Sequence, residues 1–280
     1  MSHDVLKVID YLSPSAPQDL SDSFRDTGFA VLNNHPIQFI NPVYDLWRRA
    51  FQLKQLDAFK FDPDRLDGFV CQEQSETAVG YTQKDIKMFF NYYPSWGRCP
   101  ADLIDITQSY FDSIRSCGIE IAKWLDQMTP TANKPAQCSF ETIIRNSTRT
   151  LLRLNYFPAV GTNYKHGAIR AQDHTDINFF TLIPRTSSPG LQVLYKGEKW
   201  IDVPCHKNWV VINIGDMLQE LSSGYWPSTR HRVVNYQENM LEDRMSTPLF
   251  FQPNDDVYLS QKYPKSIEFL KKRYEELGLV

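Results

Sequence analysis

The sequence lacks three features that would each define a class of protein. Its five cysteines are odd in number and include no C-x-x-C pair, which predicts reduced thiols and gives no support for a disulfide framework, a zinc knuckle or a cysteine nucleophile. No apolar run reaches about 18 residues, the length that a membrane-spanning helix needs. The formal net charge of −3 provides no basic excess for nucleic-acid binding. The cysteines are Cys71, Cys99, Cys117, Cys138 and Cys205.

The remaining composition is that of an ordinary globular chain. Hydrophobic residues make up 42% of the 280 positions and charged residues 22%, so the chain can bury a core without disulfides or structural metals. Residues 1–10 contain acidic side chains and lack the apolar segment of a signal peptide. We therefore expect a cytoplasmic protein with no membrane or nucleic-acid partner. Its oligomeric state stays open and is compatible with a monomer.

Helix signals dominate the first half of the chain. They are prolines at first-turn positions, a glycine stop signal, and apolar residues at steps of three or four. A short apolar, β-prone run between the first two helices is typical of a strand. These signals predict helices over residues 15–27, 41–59 and 102–128, a strand over 29–34, a loop region with short strands over 62–100, and a linker over 129–139.

The second half has short β-prone runs separated by turn signals, a pattern typical of a sandwich or barrel. The predicted strands cover residues 150–158, 179–184, 191–195, 199–203, 209–214, 230–236 and 247–251, and a helix is predicted over 266–277. The fold class is therefore mainly β within α+β, with a helical N-terminal region (1–145) and an antiparallel β region (146–280). We expect the two regions to form one integrated unit, because a β core of this size needs covering.

One candidate metal site stands out in the second half. His174 and Asp176 are two residues apart, so on a strand both side chains point to the same face. His231, on another predicted strand, is the candidate third ligand. Two histidines and one carboxylate leave open coordination positions, which suits Fe(II) and oxygen chemistry better than zinc. An isolated H-x-D pair is equally compatible with a solvated strand.

A second pair with the same spacing is Arg244 and Ser246. Arginine presents a planar fork that binds a carboxylate through two hydrogen bonds, and a serine hydroxyl can add a third. The alternative is a surface arginine that forms an ion pair with Glu242 or Asp243.

Taken in order, the motifs resemble a known family. H-T-D (174–176), H-R-V (231–233) and R-M-S (244–246) are accompanied by L-R-L-N-Y-F-P (152–158), G-L-Q-V-L (190–194), N-I-G-D-M-L-Q-E-L-S-S-G (213–224) and R-D-T-G-F-A-V-L-N-N-H-P-I (25–37). This set resembles the iron(II)- and 2-oxoglutarate-dependent dioxygenases of the isopenicillin N synthase-like branch. The resemblance implies a double-stranded β-helix, or jelly roll, with helical N-terminal support.

The resemblance also assigns roles to single residues. Fe(II) would be held by the His174, Asp176 and His231 set, and 2-oxoglutarate by Arg244 and Ser246. Asn155 matches a family position near this co-substrate. Phe157 departs from the family pattern, because family members often have a tyrosine at this position that hydrogen-bonds the co-substrate.

The implied reaction consumes O₂ and 2-oxoglutarate, releases succinate and CO₂, and hydroxylates, desaturates or cyclises a small molecule at an unactivated C–H bond, with ascorbate as an accessory reductant. No catalytic side chain beyond the metal site is expected. Two alternatives stay open. One is an oxidase of the same branch that does not use 2-oxoglutarate, and the other is a non-catalytic jelly-roll protein that binds metal or ligand.

Candidates for the substrate wall come from strand parity and from an aromatic loop. Phe250 and Gln252 continue the face of Arg244 and Ser246 and are the candidates for the wall itself, whereas Tyr81, Phe89 and Phe90, in the aromatic loop, could form its lid. An ordinary role in the jelly-roll core fits Phe250 and Phe89 as well. Lys84, Lys87 and Arg98 are the cations that could meet a substrate carboxylate.

Overall fold

The computed structural model describes residues 5–75, 85–135, 138–159, 170–185, 188–236 and 241–276. Tyr81 and Lys84 lie outside the described residues. The helices are α1 (Ala16–Thr27), α2 (Ile40–Gln52), α3 (Ile104–Met128), α4 (Phe140–Arg145), α5 (Asp216–Leu221) and α6 (Ser266–Glu276). None of the described helices is long and apolar enough to span a membrane.

The strands are β1 (Val8–Asp10), β2 (Phe29–Asn33), β3 (Gly68–Val70), β4 (Met88–Tyr92), β5 (Leu151–Phe157), β6 (Ala171–His174), β7 (Phe180–Pro184), β8 (Leu191–Tyr195), β9 (Lys199–Asp202), β10 (Val210–Ile214), β11 (His231–Val233), β12 (Arg244–Ser246) and β13 (Leu249–Phe251). The major sheet has the order β1-β2-β10-β7-β13-β5-β4-β3, and β12 also pairs with β5. The minor sheet has the order β6-β11-β8-β9.

The two faces of the major sheet bury different cores. One core contains the apolar faces of α1, α2 and α3 packed against strand residues such as Leu182 and Leu249. Gly118 of α3 lies so close to the sheet that an added Cβ would approach the ring of Phe251 to 2.1 Å. The other core lies between the two sheets, where Val31 and Val211 meet residues of the minor sheet. Two facing, mostly antiparallel sheets with helices on the outside confirm the predicted jelly-roll α+β class.

The structure corrects some predicted boundaries. The second helix does not reach Phe59: it ends at Gln52, Lys54 has a left-handed φ of +55°, and a separate 3-10 helix covers Gln55–Phe59. The predicted strand over 247–251 begins only at Leu249, as β13. The strand expected to continue from Arg244 through Phe250 is divided into β12 and β13 around Pro248, which has no N–H to donate to a neighbour. Both segments keep one continuous register along β5. The sequence patterns missed α4 and α5, because helices of 6 residues are too short to show periodicity.

Candidate active site

Antiparallel pairing of two short strands brings the predicted ligands together. His174 ends β6, His231 begins β11, and the two are register partners in the minor sheet. Asp176 follows two residues later, and its Oδ1 lies 3.8 Å from His174 Nε2 and 3.7 Å from His231 Nε2. One ligand atom from each of the three residues lies within 4.8 Å of the others. Among the described residues, this is the one cluster of three such side chains that could hold a metal ion.

Both imidazoles are oriented by the same local contact. His174 Nδ1 is 2.7 Å from the carbonyl oxygen of Gln172, and His231 Nδ1 is 3.2 Å from that of Thr229. A carbonyl oxygen can only accept, so each Nδ1 carries the proton and each Nε2 presents its lone pair to the centre. Burial and the neighbouring His174 lower the pKa of His231 to about 4, which keeps its ring neutral at pH 7.

The two oxygens of the Asp176 carboxylate have different roles: one accepts supporting hydrogen bonds and the other is available to bind the metal. Oδ2 accepts hydrogen bonds from Thr181 Oγ1 at 2.5 Å and from Asn213 Nδ2 at 2.8 Å, while Oδ1 faces the imidazoles. Burial alone would raise the pKa of Asp176, but the two histidines and the two hydrogen bonds outweigh it and lower that pKa. The aspartate is therefore ionised at pH 7.

Two imidazoles and one carboxylate, each held by an outer hydrogen bond, fit a divalent metal such as Fe(II). The cluster opens on one side. The side chain of His174 is 40% exposed, whereas those of Asp176 and His231 are 9% and 7% exposed. A co-substrate or substrate can therefore reach the metal position from the side of His174.

Residues 215–217 anchor the ligand segment to the major sheet. The Asp216 N–H donates to the Asp176 carbonyl at 2.7 Å, and the Met217 N–H donates to the Asn178 carbonyl at 3.1 Å. A Cβ added to Gly215 would lie 2.1 Å from the Asn178 carbonyl oxygen, so glycine is required for this close approach. The N-I-G-D segment noted in the sequence is thus a support for Asp176, a role that its residue types alone did not indicate.

Arg244 is buried, contrary to the alternative of a surface arginine. It is 1% exposed, its Nε donates to the Ser188 carbonyl at 3.1 Å, and no acidic side chain of the described residues forms an ion pair with it. Asp243 pairs instead with Arg48. Burial, with repulsion from Arg170, lowers the pKa of Arg244 to about 10, so it remains a cation at pH 7. Because burial of a charge is costly unless an opposite charge is near, a buried cation of this kind indicates a binding site for an anionic ligand.

Ser246 and Asn155 lie beside this arginine. They are register partners in β12 and β5, and Asn155 Nδ2 is 3.4 Å from Ser246 Oγ. Phe157 is the register partner of Arg244, and its ring centroid is 5.3 Å from the guanidinium carbon. The departure from tyrosine therefore removes a hydroxyl and keeps an aromatic face beside the cation.

The predicted substrate wall is partly assembled. Phe89 is buried and is the register partner of Asn155, while half-buried Phe250 pairs with Thr181, the residue that holds Asp176. Gln252 is half-buried immediately after β13. The location of Phe89 and Phe250 on the strands of the site is compatible with the substrate wall and with core packing.

The cation nearest to this wall is one that the sequence interpretation passed over. Arg153 lies on β5 two residues before Asn155, and its guanidinium carbon is 4.3 Å from the Phe89 ring centroid and 5.5 Å from that of Phe250. Its Nε donates to Asn91 Oδ1 at 2.9 Å. The alternation of side chains along a strand could have indicated this residue, because Arg153 and Asn155 are two positions apart and share one face of β5.

Each described cation proposed from the sequence has an acidic partner, and Lys87 also lies near the proposed substrate wall, with its Nζ 5.7 Å from the Phe89 ring centroid. Lys87 pairs with Asp85 at 2.9 Å, and Arg98 pairs with Asp67 at 2.8 Å. The Lys87–Asp85 pair has the i, i+2 spacing of a strand, whereas the Arg98–Asp67 pair joins residues far apart in sequence and depends on the tertiary structure.

Exchange of Thr181 for valine should weaken Fe(II) binding about 10-fold, because Asp176 Oδ2 loses one of its two donors while the volume is kept. Thr150→Val is the matched control: Thr150 is also buried, and its hydroxyl makes no hydrogen bond with a described residue. Competition with a coloured chelator under anaerobic conditions measures the Fe(II) dissociation constant. Equal constants for the two variants would contradict the supporting role of Thr181.

Comparison with known proteins found one matching family model and similar solved structures. The family model of the 2OG-Fe(II) oxygenase superfamily matches residues 148–253. A Shewanella oneidensis protein of known crystal structure, described as an oxygenase, is 38% identical, with 98% of this chain and 99% of that chain covered and a TM-score of 0.87.

More distant similarities extend over the same length. A leucoanthocyanidin dioxygenase from Malus domestica is 25% identical over 262 residues, which are 89% of this chain and 71% of that enzyme. A full-length Neurospora crassa protein, crystallised with alpha-KG and thymine, is 23% identical with a TM-score of 0.78, covers 98% of both chains, and supports the fold alone. The segment matched by the family model contains the His–Asp–His cluster and the Arg244–Ser246 pair.

Proposed function

Because this chain belongs to the 2OG-Fe(II) oxygenase superfamily, we propose that His174, Asp176 and His231 hold its Fe(II). Arg244 and Ser246 then bind the far carboxylate of 2-oxoglutarate. The chain is an oxidoreductase, a 2-oxoglutarate- and Fe(II)-dependent dioxygenase that acts on a small molecule and uses O₂. This disfavours the two alternatives, an oxidase independent of 2-oxoglutarate and a non-catalytic binding protein.

The observation that supports the ligand set most directly is the shared orientation of its donors. His174 and His231 each bind a main-chain carbonyl through Nδ1 and present Nε2, and Asp176 presents Oδ1 while Thr181 and Asn213 hold its other oxygen. In an ordinary cluster of surface side chains, nothing would hold three ligand atoms without hydrogen-bond partners towards the same position.

The chemistry follows from what each part supplies. When bound, Fe(II) provides the redox chemistry that couples conversion of 2-oxoglutarate and O₂ to succinate and CO₂ with oxidation of a substrate C–H bond. Arg244 supplies a buried positive charge for the co-substrate, and Ser246 supplies a hydroxyl donor beside it. Phe89 and Phe250 keep water from the substrate side. Asn155 positions the Ser246 hydroxyl.

We further propose that the substrate occupies the space beside Arg153 and presents to it an anionic or carbonyl oxygen. Two aromatic rings and Asn91 hold the guanidinium in place, so it can bind an acceptor group with little further loss of side-chain freedom. The relative from Malus domestica is named for leucoanthocyanidin, a small molecule. A planar or partly apolar substrate with one such group suits the pair of rings.

Arg153→Met should raise the KM for the substrate about 10-fold or more, because one charged hydrogen-bonding group is lost. The dissociation constant for 2-oxoglutarate should stay unchanged. Arg232→Met is the matched control, since Arg232 also lies on an aromatic ring, 4.1 Å from the Trp200 centroid, on the minor sheet. Succinate release across a panel of small carboxylic acids and their amides identifies the substrate class. An unchanged KM in Arg153→Met would exclude this contact.

The wider proposals concern the whole chain. We propose that residues 1–145 and 146–280 form one integrated unit, which is supported by the pairing of β4 with β5 and of β2 with β10 in one sheet. A cytoplasmic location is supported by five cysteines that form no disulfide. Absence of nucleic-acid and membrane partners, and a role for ascorbate as reductant, stay predictions.

Anaerobic titration of the metal-free protein tests the ligand and co-substrate assignments. We expect one Fe(II) per chain, tighter binding of 2-oxoglutarate in its presence, and a weak visible absorption band of the chelate. Admission of O₂ should then release succinate, faster with a true substrate. A protein that binds no Fe(II) would refute the ligand set. One that binds Fe(II) but whose 2-oxoglutarate affinity is independent of Arg244 would refute the carboxylate site.

A further inference from the structure

The C-terminal helix α6 is joined by an ion pair to Asp216, a residue that supports the segment of the metal ligands. Phe269 and Leu270 bury its apolar face in the main core, and the Ser266 N–H donates to the Val257 carbonyl at 2.8 Å at its start. Further along the helix, Arg273 Nη2 donates to Asp216 Oδ2 at 2.7 Å. The packing contacts hold the helix against the core, and Arg273 connects the helix to Asp216 near the metal ligands.

Asp216 joins this helix to the segment that contains two of the proposed ligands. The same Oδ2 that Arg273 contacts accepts a hydrogen bond from Thr175 Oγ1 at 3.0 Å. The Asp216 main-chain N–H donates to the Asp176 carbonyl at 2.7 Å. Because Thr175 lies between His174 and Asp176, the orientation of the Asp216 carboxylate affects both neighbours.

Arg273 is the charged partner that stabilises the Asp216 carboxylate. The Asp216 carboxylate is buried, whereas the Arg273 guanidinium is partly exposed. Without this arginine a buried carboxylate would lose its charged partner, which favours its rotation towards water and away from Thr175. The preceding residue, Lys272, has no such role, since it faces Glu276 at 4.0 Å on the helix surface.

We propose that Arg273 is a positioning residue for the metal centre: through Asp216 it holds the Thr175–Asp176 segment, so that docking of α6 and Fe(II) binding stabilise each other. Such coupling is reciprocal, because a contact that raises metal affinity must itself be strengthened by the metal. The inference rests on the proposed ligand set of His174, Asp176 and His231.

Full-length wild-type protein, Arg273→Met and Lys272→Met provide the test. We expect Arg273→Met to raise the Fe(II) dissociation constant about 10-fold, the lower range for loss of an outer support, and Lys272→Met to leave it unchanged. Chelator competition under anaerobic conditions measures the constants. Amide hydrogen exchange measures the coupling: Fe(II) should protect both 173–178 and the end of α6 in wild type and Lys272→Met, and only 173–178 in Arg273→Met.

Thr175→Val supplies a second, independent arm at the other end of the contact. It should weaken Fe(II) binding in the same direction, and its combination with Arg273→Met should cost less than the product of the two single effects, because both remove one connection. If Arg273→Met is not folded, Thr175→Val alone must still weaken Fe(II) binding and remove the metal-dependent protection of α6.

The outcomes separate this inference from the proposed function. Wild-type protein that binds no Fe(II) refutes the ligand set, and the inference with it. Wild-type protein that binds Fe(II), with equal dissociation constants for Arg273→Met and Lys272→Met, refutes the role of Arg273 and leaves the ligand set intact. A lower melting temperature of Arg273→Met with unchanged Fe(II) affinity would reduce Arg273 to a packing role and also overturn the proposal.

Discussion

His174→Ala should abolish Fe(II) binding at micromolar metal and with it all 2-oxoglutarate turnover. The residue supplies one of three ligand atoms, and the cluster contains no fourth histidine, cysteine or acidic side chain among the described residues that could replace it. The loss should exceed the roughly 100-fold that removal of an outer support can cost, because a metal–ligand bond disappears outright. Titration of the metal-free variant with Fe(II), and succinate release in O₂, measure the two effects.

His206→Ala is the matched control for this experiment. His206 is exposed, packs against Trp209 with ring centroids 4.9 Å apart, and is not part of the metal cluster. Its variant should bind Fe(II) as the wild type does. The melting temperature of metal-free His174→Ala should remain close to that of the wild type, because the imidazole is partly exposed. Full turnover by His174→Ala would remove this residue from the ligand set.

Arg244→Gln should raise the dissociation constant for 2-oxoglutarate by a factor of roughly 30 or more. This factor corresponds to about 2 kcal/mol, the lower limit for truncating one partner of a buried, hydrogen-bonded charge pair. Fe(II) binding should be unaffected, since Arg244 lies on β12 and the proposed metal ligands lie elsewhere. Ser246→Ala should act in the same direction with a smaller effect, as it removes one hydroxyl donor.

The folded protein should tolerate the Arg244 substitution. Burial and Arg170 lower the pKa of Arg244 to about 10, which means that the folded state disfavours its charge. A neutral glutamine removes this penalty, so the free energy of unfolding without co-substrate should not decrease much. Arg232→Gln, on the minor sheet, is the control and should leave 2-oxoglutarate binding unchanged. An unaltered constant in Arg244→Gln would place the co-substrate carboxylate elsewhere.

Local periodicity was sufficient for most elements and for the Arg244–Ser246 pair. The first and third helices, and most strands of the second half, lie within a few residues of their predicted positions, because their hydrophobic spacing is set by the residues themselves. Strand parity correctly predicted that Arg244 and Ser246 share a face of β12. Asp176, in contrast, lies beyond the end of β6 at His174, and its contacts with Thr181 and Asn213 hold it in the cluster. The error at Gln52 has the opposite origin. Residues beyond it continue a helical pattern, but Lys54 adopts a left-handed φ that no local pattern indicates.

What the sequence by itself determined is therefore the kind of chemistry: a 2-His-1-carboxylate set, an arginine–serine pair, and the order of motifs that the family shares. Only the tertiary structure decided which side chains support that set. Thr181 and Asn213 on Asp176, Arg153 between two aromatic rings, and the link from Arg273 to Asp216 all join residues from separate elements. The physical reason is register. Periodicity determines the face on which a side chain lies, but the alignment of distant strands and helices determines the atom that it meets.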